Sequence, residues 1–195
     1  MSKHDGHPKS LKVINLFAGP GAGKSTTAAS LFSMMKSKGY RVELVTEVAK
    51  DFTYMHYKKG LRNQLLVLGL QDDRLRRLVG EVDVVITDSP LALGLAYLQK
   101  EYSRAPVEEA IWWAFERYSN FNFFIHRVKA YQKYGRSQTE QEAAALDEAI
   151  YDIFLQAADG EFPGTVHHNE VEGAADAAVN ILSVYEAIMH PNMNR

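Results

Sequence analysis

The chain has 195 residues, of which 46% are hydrophobic and 24% charged, and its formal net charge at pH 7 is −2. This composition excludes a disordered chain, and the near-neutral charge leaves nucleic-acid contact to local basic patches. The apolar runs are too short to span a bilayer, and the polar first ten residues predict no secretory signal. Because cysteine is absent, disulfides and thiolate chemistry are excluded and a cytoplasmic location without a membrane partner is expected.

Strands and helices are predicted to alternate along the chain. The predicted strands cover residues 12–17, 41–46, 82–87, 121–125 and 165–168. The predicted helices cover residues 24–36, 61–79, two stretches after the third strand (the second beginning at Pro106), a segment opened by a Thr139–Glu142 capping box, and 174–188. Gly39 stands just past the first helix, where a left-handed cap is expected.

This alternation predicts a three-layer α/β fold of the P-loop NTPase type, with a central parallel sheet of about five strands and helices on both faces. No internal repeat, low-complexity tract or linker divides the sequence. We therefore expect one domain over residues 1–195, with residues 1–10 as a flexible start.

A glycine-rich turn between the first strand and the first helix predicts a phosphate-binding loop. Glycines let backbone N–H groups close around phosphate oxygens, and the helix directs its positive dipole end at them. The predicted nucleotide-binding residues are Gly19, Pro20, Gly21, Ala22, Gly23, Lys24, Ser25 and Thr26. Lys24 would reach the β- and γ-phosphates and the Ser25 hydroxyl would bind Mg²⁺. Ala18 replaces the usual first glycine, which is tolerable if its backbone conformation is ordinary. No guanine-reading Asn-Lys-x-Asp motif occurs, so ATP is the expected nucleotide.

An acid follows the buried strand at residues 82–87. Asp88 lies at the carboxyl end of this strand, where ligands of parallel α/β sheets gather. We expect Asp88 to hold Mg²⁺ beside Ser25 or to take part in catalysis. The alternative is a turn or helix cap, because Asp-Ser-Pro is favourable turn chemistry.

A basic segment follows the fourth predicted strand. Residues 127–138 form a candidate lid, in which Arg127 and Arg136 would stabilise the negative charge of a moving phosphoryl group. The alternative is a solvated basic loop.

The order of these motifs resembles the thymidylate kinase and deoxynucleoside kinase group of P-loop kinases, and also the nicotinamide riboside kinase-like phage proteins. By this resemblance Glu47, after the second strand, matches the acid that contacts or deprotonates the acceptor hydroxyl. Asp88 matches the acid of the Glu-Arg-Ser or Asp-Arg-Tyr motif, although Ser89 stands where those families carry arginine. Kinases of this group are commonly dimers, so the resemblance adds a homodimer to the expected partners and leaves the oligomeric state open.

The same resemblance implies an acceptor pocket in residues 51–57. The predicted substrate-binding residues are Asp51, Phe52, Tyr54, Tyr57 and, by its match to a family glutamine, Gln71. The three aromatic rings would stack on a base, or alternatively pack beneath a surface segment. Two basic clusters, residues 58–62 and 74–77, would line a phosphate track if the acceptor is a nucleic acid, or are simply exposed helix faces.

Two functions remain open. The first is a kinase that transfers the γ-phosphate of ATP to a nucleoside, a nucleotide or a modified base, with Glu47 or Asp88 accepting the proton. The resemblance includes phage kinases that phosphorylate 5-hydroxymethyluridine within DNA. The second is an ATPase switch that acts on a protein partner and phosphorylates no acceptor.

Overall fold

The computed structural model of the protein describes residues 11–98, 104–127, 140–158, 167–172 and 174–191. The strands are β1 (Lys12–Phe17), β2 (Val42–Val45), β3 (Val84–Thr87), β4 (Ser119–His126) and β5 (His167–Glu172). The helices are α1 (Lys24–Ser37), α2 (Val48–Tyr54), α3 (Lys58–Arg62), α4 (Gln64–Arg76), α5 (Arg104–Glu116), α6 (Glu140–Gln156) and α7 (Ala174–Met189), with a 3-10 helix over Leu91–Tyr97.

The five strands form one sheet in the order β2-β3-β1-β4-β5, and every neighbouring pair is parallel. The predicted parallel sheet of about five strands is therefore confirmed. Because β1 lies at the centre, the loop that follows it opens between the ends of β3 and β4 at the carboxyl edge of the sheet. This edge is where α/β sheets bind ligands.

Alternating residues of the strands face two separate cores. Val13 and Phe17 of β1 pack with the 3-10 helix, α5 and α6, whereas Ile14 and Leu16 pack with α1 and α7. Both faces of the sheet are thus covered, and strands buried on both faces read as continuous apolar runs. This explains why the β3 and β4 segments were recognisable in the sequence.

The prediction of one helix over residues 61–79 is wrong. Asn63 has a non-helical backbone, and its side-chain oxygen accepts a hydrogen bond from the Leu66 amide at 3.1 Å. Asn63 is therefore the N-cap of α4, which separates it from α3. Two apolar residues of the predicted helix are also exposed rather than buried, since Leu65 is 55% exposed and Val79 is 43% exposed.

Other boundaries differ less. Gly39 has the expected left-handed conformation, with φ of 85°. The short helix α2 was not predicted, and β5 extends to residue 172 rather than ending at 168. Residues 1–10, Thr139, residues 165–166 and all of the predicted lid except Arg127 lie outside the described residues. Within the described part of the chain, no helix is both long and apolar enough to cross a membrane.

Candidate phosphate-binding and acceptor site

The loop after β1 has the backbone that a phosphate cradle requires. Gly21 and Gly23 have φ angles of 80° and 105°, in the left-handed region that favours glycine. Ala18 does not have a positive φ, so the condition for tolerating its methyl group is met. Gly23 caps α1 without a side-chain hydrogen bond, and the first turn of α1 contains no acid. The positive end of the α1 dipole therefore faces the loop without a side-chain anion of its own.

Lys24 lies at the base of this loop. Its Nζ donates hydrogen bonds to the carbonyl oxygens of Ala18, at 2.6 Å, and Gly19, at 3.1 Å. Burial lowers the pKa of Lys24, while the negative charges of Glu47, Asp88 and Asp147 act in the opposite direction. The loop therefore holds a partly buried lysine side chain, and a phosphate oxygen could replace the two carbonyl oxygens as acceptor of its hydrogen bonds.

Ser25 and Asp88 meet at the carboxyl edge of the sheet. The Ser25 hydroxyl donates to Oδ2 of Asp88 at 2.6 Å, which joins the start of α1 to the residue that follows β3. Asp88 is only 9% exposed, and its Oδ1 has no hydrogen-bond partner among the described residues. A buried carboxylate oxygen without a partner is costly, and Mg²⁺ prefers hydroxyl and carboxylate oxygens. The pair therefore fits a magnesium ion.

Glu47 lies two residues beyond the end of β2 and directly before the first residue of α2. It is the N-cap residue of this helix, but its side chain makes no capping hydrogen bond. Burial raises the pKa of Glu47, and the positive charge of Lys24 partly offsets the rise. Glu47 and Asp88 thus come from neighbouring strands, and both act electrostatically on Lys24.

The turn that carries Glu47 is held by Gln71 of α4. The side-chain oxygen of Gln71 accepts from the Val48 amide at 2.9 Å, and its nitrogen donates to the Thr46 carbonyl at 3.2 Å. Gln71 is 3% exposed. Its carboxamide therefore binds the backbone on both sides of Glu47, and a contact between Gln71 and an acceptor stays a prediction.

The segment predicted to bind the acceptor is partly structural. Phe52 is buried and contacts the Tyr57 ring edge-on, with 5.4 Å between the ring centroids. Phe52 therefore packs inside the protein, which is the alternative to stacking on a base. Asp51 forms an ion pair with Arg74. Tyr54 and Tyr57 are 72% and 46% exposed, so their rings remain accessible for stacking. Base stacking by these rings is still a prediction.

Arg127 is the one residue of the predicted lid that the structure describes. Its Nη2 donates to the Pro20 carbonyl at 3.0 Å, so it reaches the phosphate loop from the end of β4. The same guanidinium pairs with Asp147 of α6 at 2.8 Å. Arg136 lies outside the described residues, and its role stays a prediction.

Two residues beside the loop were missed by the sequence reasoning. Asp147 lies on α6 next to the apolar stripe that contains Leu146 and Ile150, and a carboxylate beside such a stripe is the only signal that the sequence offered. Tyr97 ends the 3-10 helix and is 42% exposed over the whole residue. Partial loss of solvent around its hydroxyl raises the pKa of Tyr97 to about 12, and the charges of Glu47 and Asp147 add to the rise. Nothing local to Tyr97 in the sequence indicated this position.

A phosphate loop after the central strand of an all-parallel sheet, with an acid after the neighbouring strand, defines the class of P-loop NTPases. A family model described as an AAA domain matches residues 13–159, which is more than half of the chain. The chain therefore belongs to this AAA domain family.

Two solved structures share the fold. Thymidylate kinase from Ehrlichia chaffeensis matches with a TM-score of 0.59 and 14% identity, over 93% of this chain and 100% of that one. Deoxyadenosine kinase from M. mycoides, solved with the products dCMP and a flexible dCDP, matches with a TM-score of 0.52 and 18% identity, over 92% of this chain and 100% of that one. These likenesses confirm the predicted P-loop NTPase fold. No similar sequence was found among curated proteins.

Proposed function

We propose that this protein is an ATP-dependent kinase that transfers the γ-phosphate to a hydroxyl or phosphate group of a nucleoside, a nucleotide or a modified pyrimidine base. The observation that carries the proposal is that two acids, Glu47 and Asp88, follow the neighbouring strands β2 and β3 at the carboxyl edge of the sheet, where Asp88 contacts Ser25 of the phosphate loop. An ATP site needs the loop, its lysine and one acid near the metal. A second acid with a raised pKa is what a kinase needs in addition, to accept a proton from its acceptor.

Different residues of the chain bind the phosphates, hold the metal, accept the proton and stabilise the transferred group. The loop amides and Lys24 bind the phosphates, and Ser25 with Asp88 would hold Mg²⁺, which would neutralise phosphate charge when bound. The acceptor oxygen forms a bond to the γ-phosphorus while the bond to the β–γ bridging oxygen breaks and ADP leaves. When the acceptor is a hydroxyl, its proton passes to Glu47. Arg127, and Arg136 of the lid, stabilise the charge on the transferred group.

The acceptor class is supported by the segment that follows Glu47. Exposed Tyr54 and Tyr57 offer π-faces to a base, and exposed Lys58, Lys59 and Arg62 follow directly. The two structural neighbours are a thymidylate kinase and a deoxyadenosine kinase. We include 5-hydroxymethyluracil in phage DNA among the acceptors, because basic residues beside an aromatic segment suit a polymer with phosphates on either side of the base.

A second candidate is an ATPase switch that acts on a protein partner. The observation that favours it is the description of the matching family as an AAA domain. The two functions differ in one respect that can be measured. A kinase consumes ATP in proportion to the acceptor supplied, whereas a switch releases inorganic phosphate whether or not an acceptor is present.

The test is transfer of label from γ-labelled Mg-ATP to a panel of acceptors. The panel holds nucleosides, nucleoside monophosphates, nicotinamide riboside, and two matched DNA duplexes that contain either thymine or 5-hydroxymethyluracil. We expect label on one acceptor class, and labelled DNA only for the duplex with the hydroxymethyl group if the acceptor is a base in DNA. Label released solely as inorganic phosphate, at the same rate with every acceptor, would overturn the kinase proposal in favour of the switch.

A further inference from the structure

Asp147 places a carboxylate directly against the phosphate loop. A side-chain carbon on Gly19 would collide with the Asp147 carboxylate, and it would also lie 3.5 Å from Nη2 of Arg127. The absence of a side chain at Gly19 therefore makes room for Asp147, which comes from a distant helix. The arrangement is unexpected for a loop that binds phosphate, because the negative charge of the Asp147 carboxylate repels the negative charge of a bound phosphate.

Arg127 binds this carboxylate through two nitrogen atoms of its guanidinium, Nε and Nη2. Its Nε donates to Oδ2 of Asp147 at 3.2 Å, and its Nη2 donates to Oδ1 at 3.1 Å and to Oδ2 at 2.8 Å. Nη2 also donates to the Pro20 carbonyl at 3.0 Å. The three groups form a bridge from the end of β4 across the loop to α6, with the guanidinium in the middle.

The bridge and a bound nucleotide compete for the same edge of the Arg127 guanidinium. The edge formed by Nε and Nη2 binds a carboxylate or a phosphate in the same bidentate way, but it cannot bind two anions in this way at once. Lys24 shows the same pattern, because the loop carbonyls of Ala18 and Gly19 accept its hydrogen bonds. Lys24 and Arg127 therefore both donate hydrogen bonds to oxygen atoms of the protein, and phosphate oxygens can replace these atoms as acceptors.

We propose that Asp147 is a positioning residue that holds Arg127 at the phosphate loop and transfers it to the phosphates when a nucleotide binds. This inference rests on the proposed nucleotide site. It has two consequences of opposite sign. The carboxylate weakens nucleotide binding, through repulsion and through its hold on Arg127, and it speeds phosphoryl transfer because Arg127 is already aligned when the phosphates arrive.

The test compares Asp147→Asn with Glu148→Gln, an exposed acid at the next position of the same helix. Calorimetry with a non-hydrolysable Mg-ATP analogue measures affinity without an acceptor. We expect Asp147→Asn to bind the analogue about fivefold to tenfold more tightly, through loss of one repelling charge. Its kcat for transfer should fall by about tenfold or more, while Glu148→Gln changes neither quantity.

The single variant Arg127→Ala and the double variant Arg127→Ala/Asp147→Asn complete a cycle. If Asp147 acts through Arg127, the fall in kcat caused by Asp147→Asn disappears in the Arg127→Ala background. Thermal unfolding of each variant, with Asp147→Ser as a second replacement, separates an effect on the site from loss of the fold.

The outcomes separate this inference from the proposed function. If the wild-type protein binds no nucleotide, the proposed function fails and this inference fails with it. If the wild type binds and transfers but Asp147→Asn and Asp147→Ser leave affinity unchanged or weaken it, the inference alone is overturned. Equal losses of kcat in the presence and absence of Arg127 would likewise overturn it, because Asp147 would then act independently of the guanidinium.

Discussion

At the scale of single residues, Lys24 gives the sharpest test of the phosphate loop. Lys24→Met removes the ammonium group but keeps an unbranched side chain of similar length. We expect the rate of phosphoryl transfer to fall by at least about 100-fold, since a charge directed at the phosphates is lost. Thermal unfolding should change little, because burial already disfavours the charged lysine in the folded state.

The matched control for Lys24→Met is Lys36→Met on the same helix. Lys36 forms an ion pair with Glu43 at 3.0 Å, and both side chains are more than 40% exposed. Such surface pairs contribute little to stability. Transfer by the control should equal that of the wild type. Full activity in Lys24→Met would show that the loop does not serve phosphoryl transfer.

Glu47 predicts a dependence of stability on pH. Because burial raises its pKa in the folded protein, the folded state keeps this proton to higher pH than the unfolded chain does. The free energy of unfolding is unaffected by Glu47 below its ordinary pKa of 4.5, and it falls as pH rises from 4.5 through the folded pKa. Glu47→Gln removes that loss. The variant should match the wild type in melting temperature at about pH 4 and exceed it at about pH 8.

Glu43→Gln on β2 serves as the control for Glu47→Gln, since Glu43 is an exposed partner of Lys36. Melting temperatures of both variants and the wild type are measured across the same pH range. A Glu47→Gln protein less stable than the wild type at high pH would contradict the account of a carboxyl group whose ionisation is opposed by burial.

The residues of the phosphate loop were predictable because their spacing is local. Glycines, lysine and serine lie within eight consecutive positions, and their order alone indicates a loop between a strand and a helix. The contact between Gly19 and Asp147 was not predictable in this way. This contact depends on how α6 packs against the sheet, and the residues near Gly19 or Asp147 in the sequence do not indicate that packing.

At the scale of elements, the turn between β2 and α2 determines where Glu47 lies. Gln71→Leu removes both hydrogen bonds to this turn and leaves the buried Val48 amide without its side-chain acceptor. We expect a loss of about 1–3 kcal/mol in the free energy of unfolding, measured in urea. We also expect slower phosphoryl transfer, because the position of Glu47 is no longer fixed.

Gln64→Leu, at the first residue of α4, is the control. Gln64 donates a hydrogen bond to the Leu61 carbonyl at 2.9 Å, which lies on the N-terminal side of α4 and not in the turn that carries Glu47. It should cost less stability and leave transfer unchanged. If Gln71→Leu were as stable and as active as Gln64→Leu, the turn would not depend on Gln71.

Elements with long, regular patterns were predicted well, and short or adjoining elements were not. The bounds of β1 were predicted correctly, because an apolar run ends at a glycine-rich turn there. The seven-residue helix α2 is too short to display a helical period. The division of α3 from α4 was missed because the leucine spacing continues across Asn63, whose capping role depends on its backbone conformation.

At the scale of the whole molecule, a buried asparagine cluster joins the central strands to α5. Nδ2 of Asn15 donates to the side-chain oxygens of Asn120, at 2.8 Å, and Asn122, at 2.9 Å. Asn120 in turn donates to the Phe115 carbonyl at 2.8 Å. We expect Asn15→Ala to lower the free energy of unfolding by about 2 kcal/mol or more, since it removes a buried donor from two acceptors.

Asn180→Ala is the matched control for the asparagine cluster, because Asn180 is exposed on α7. Urea unfolding of the two variants under the same conditions compares a buried asparagine with an exposed one. Equal stability of the two variants would contradict a structural role for the cluster.

The parallel sheet and its approximate number of strands were predictable from alternation, but the strand order was not. Alternating strands and helices require crossover connections and hence parallel strands. The order β2-β3-β1-β4-β5 depends on which strand each crossover returns to. That choice is made by the packing of two cores that draw residues from distant parts of the chain.

The stoichiometry of the reaction tests whether the phosphate loop serves transfer to an acceptor, as we propose. ADP and phosphorylated acceptor are measured together over time, with wild-type protein and with Lys24→Met as the blank. We expect one phosphorylated acceptor for each ADP, and almost no ADP when the acceptor is omitted. ADP that forms at the same rate without an acceptor, matched by inorganic phosphate, would contradict the proposal.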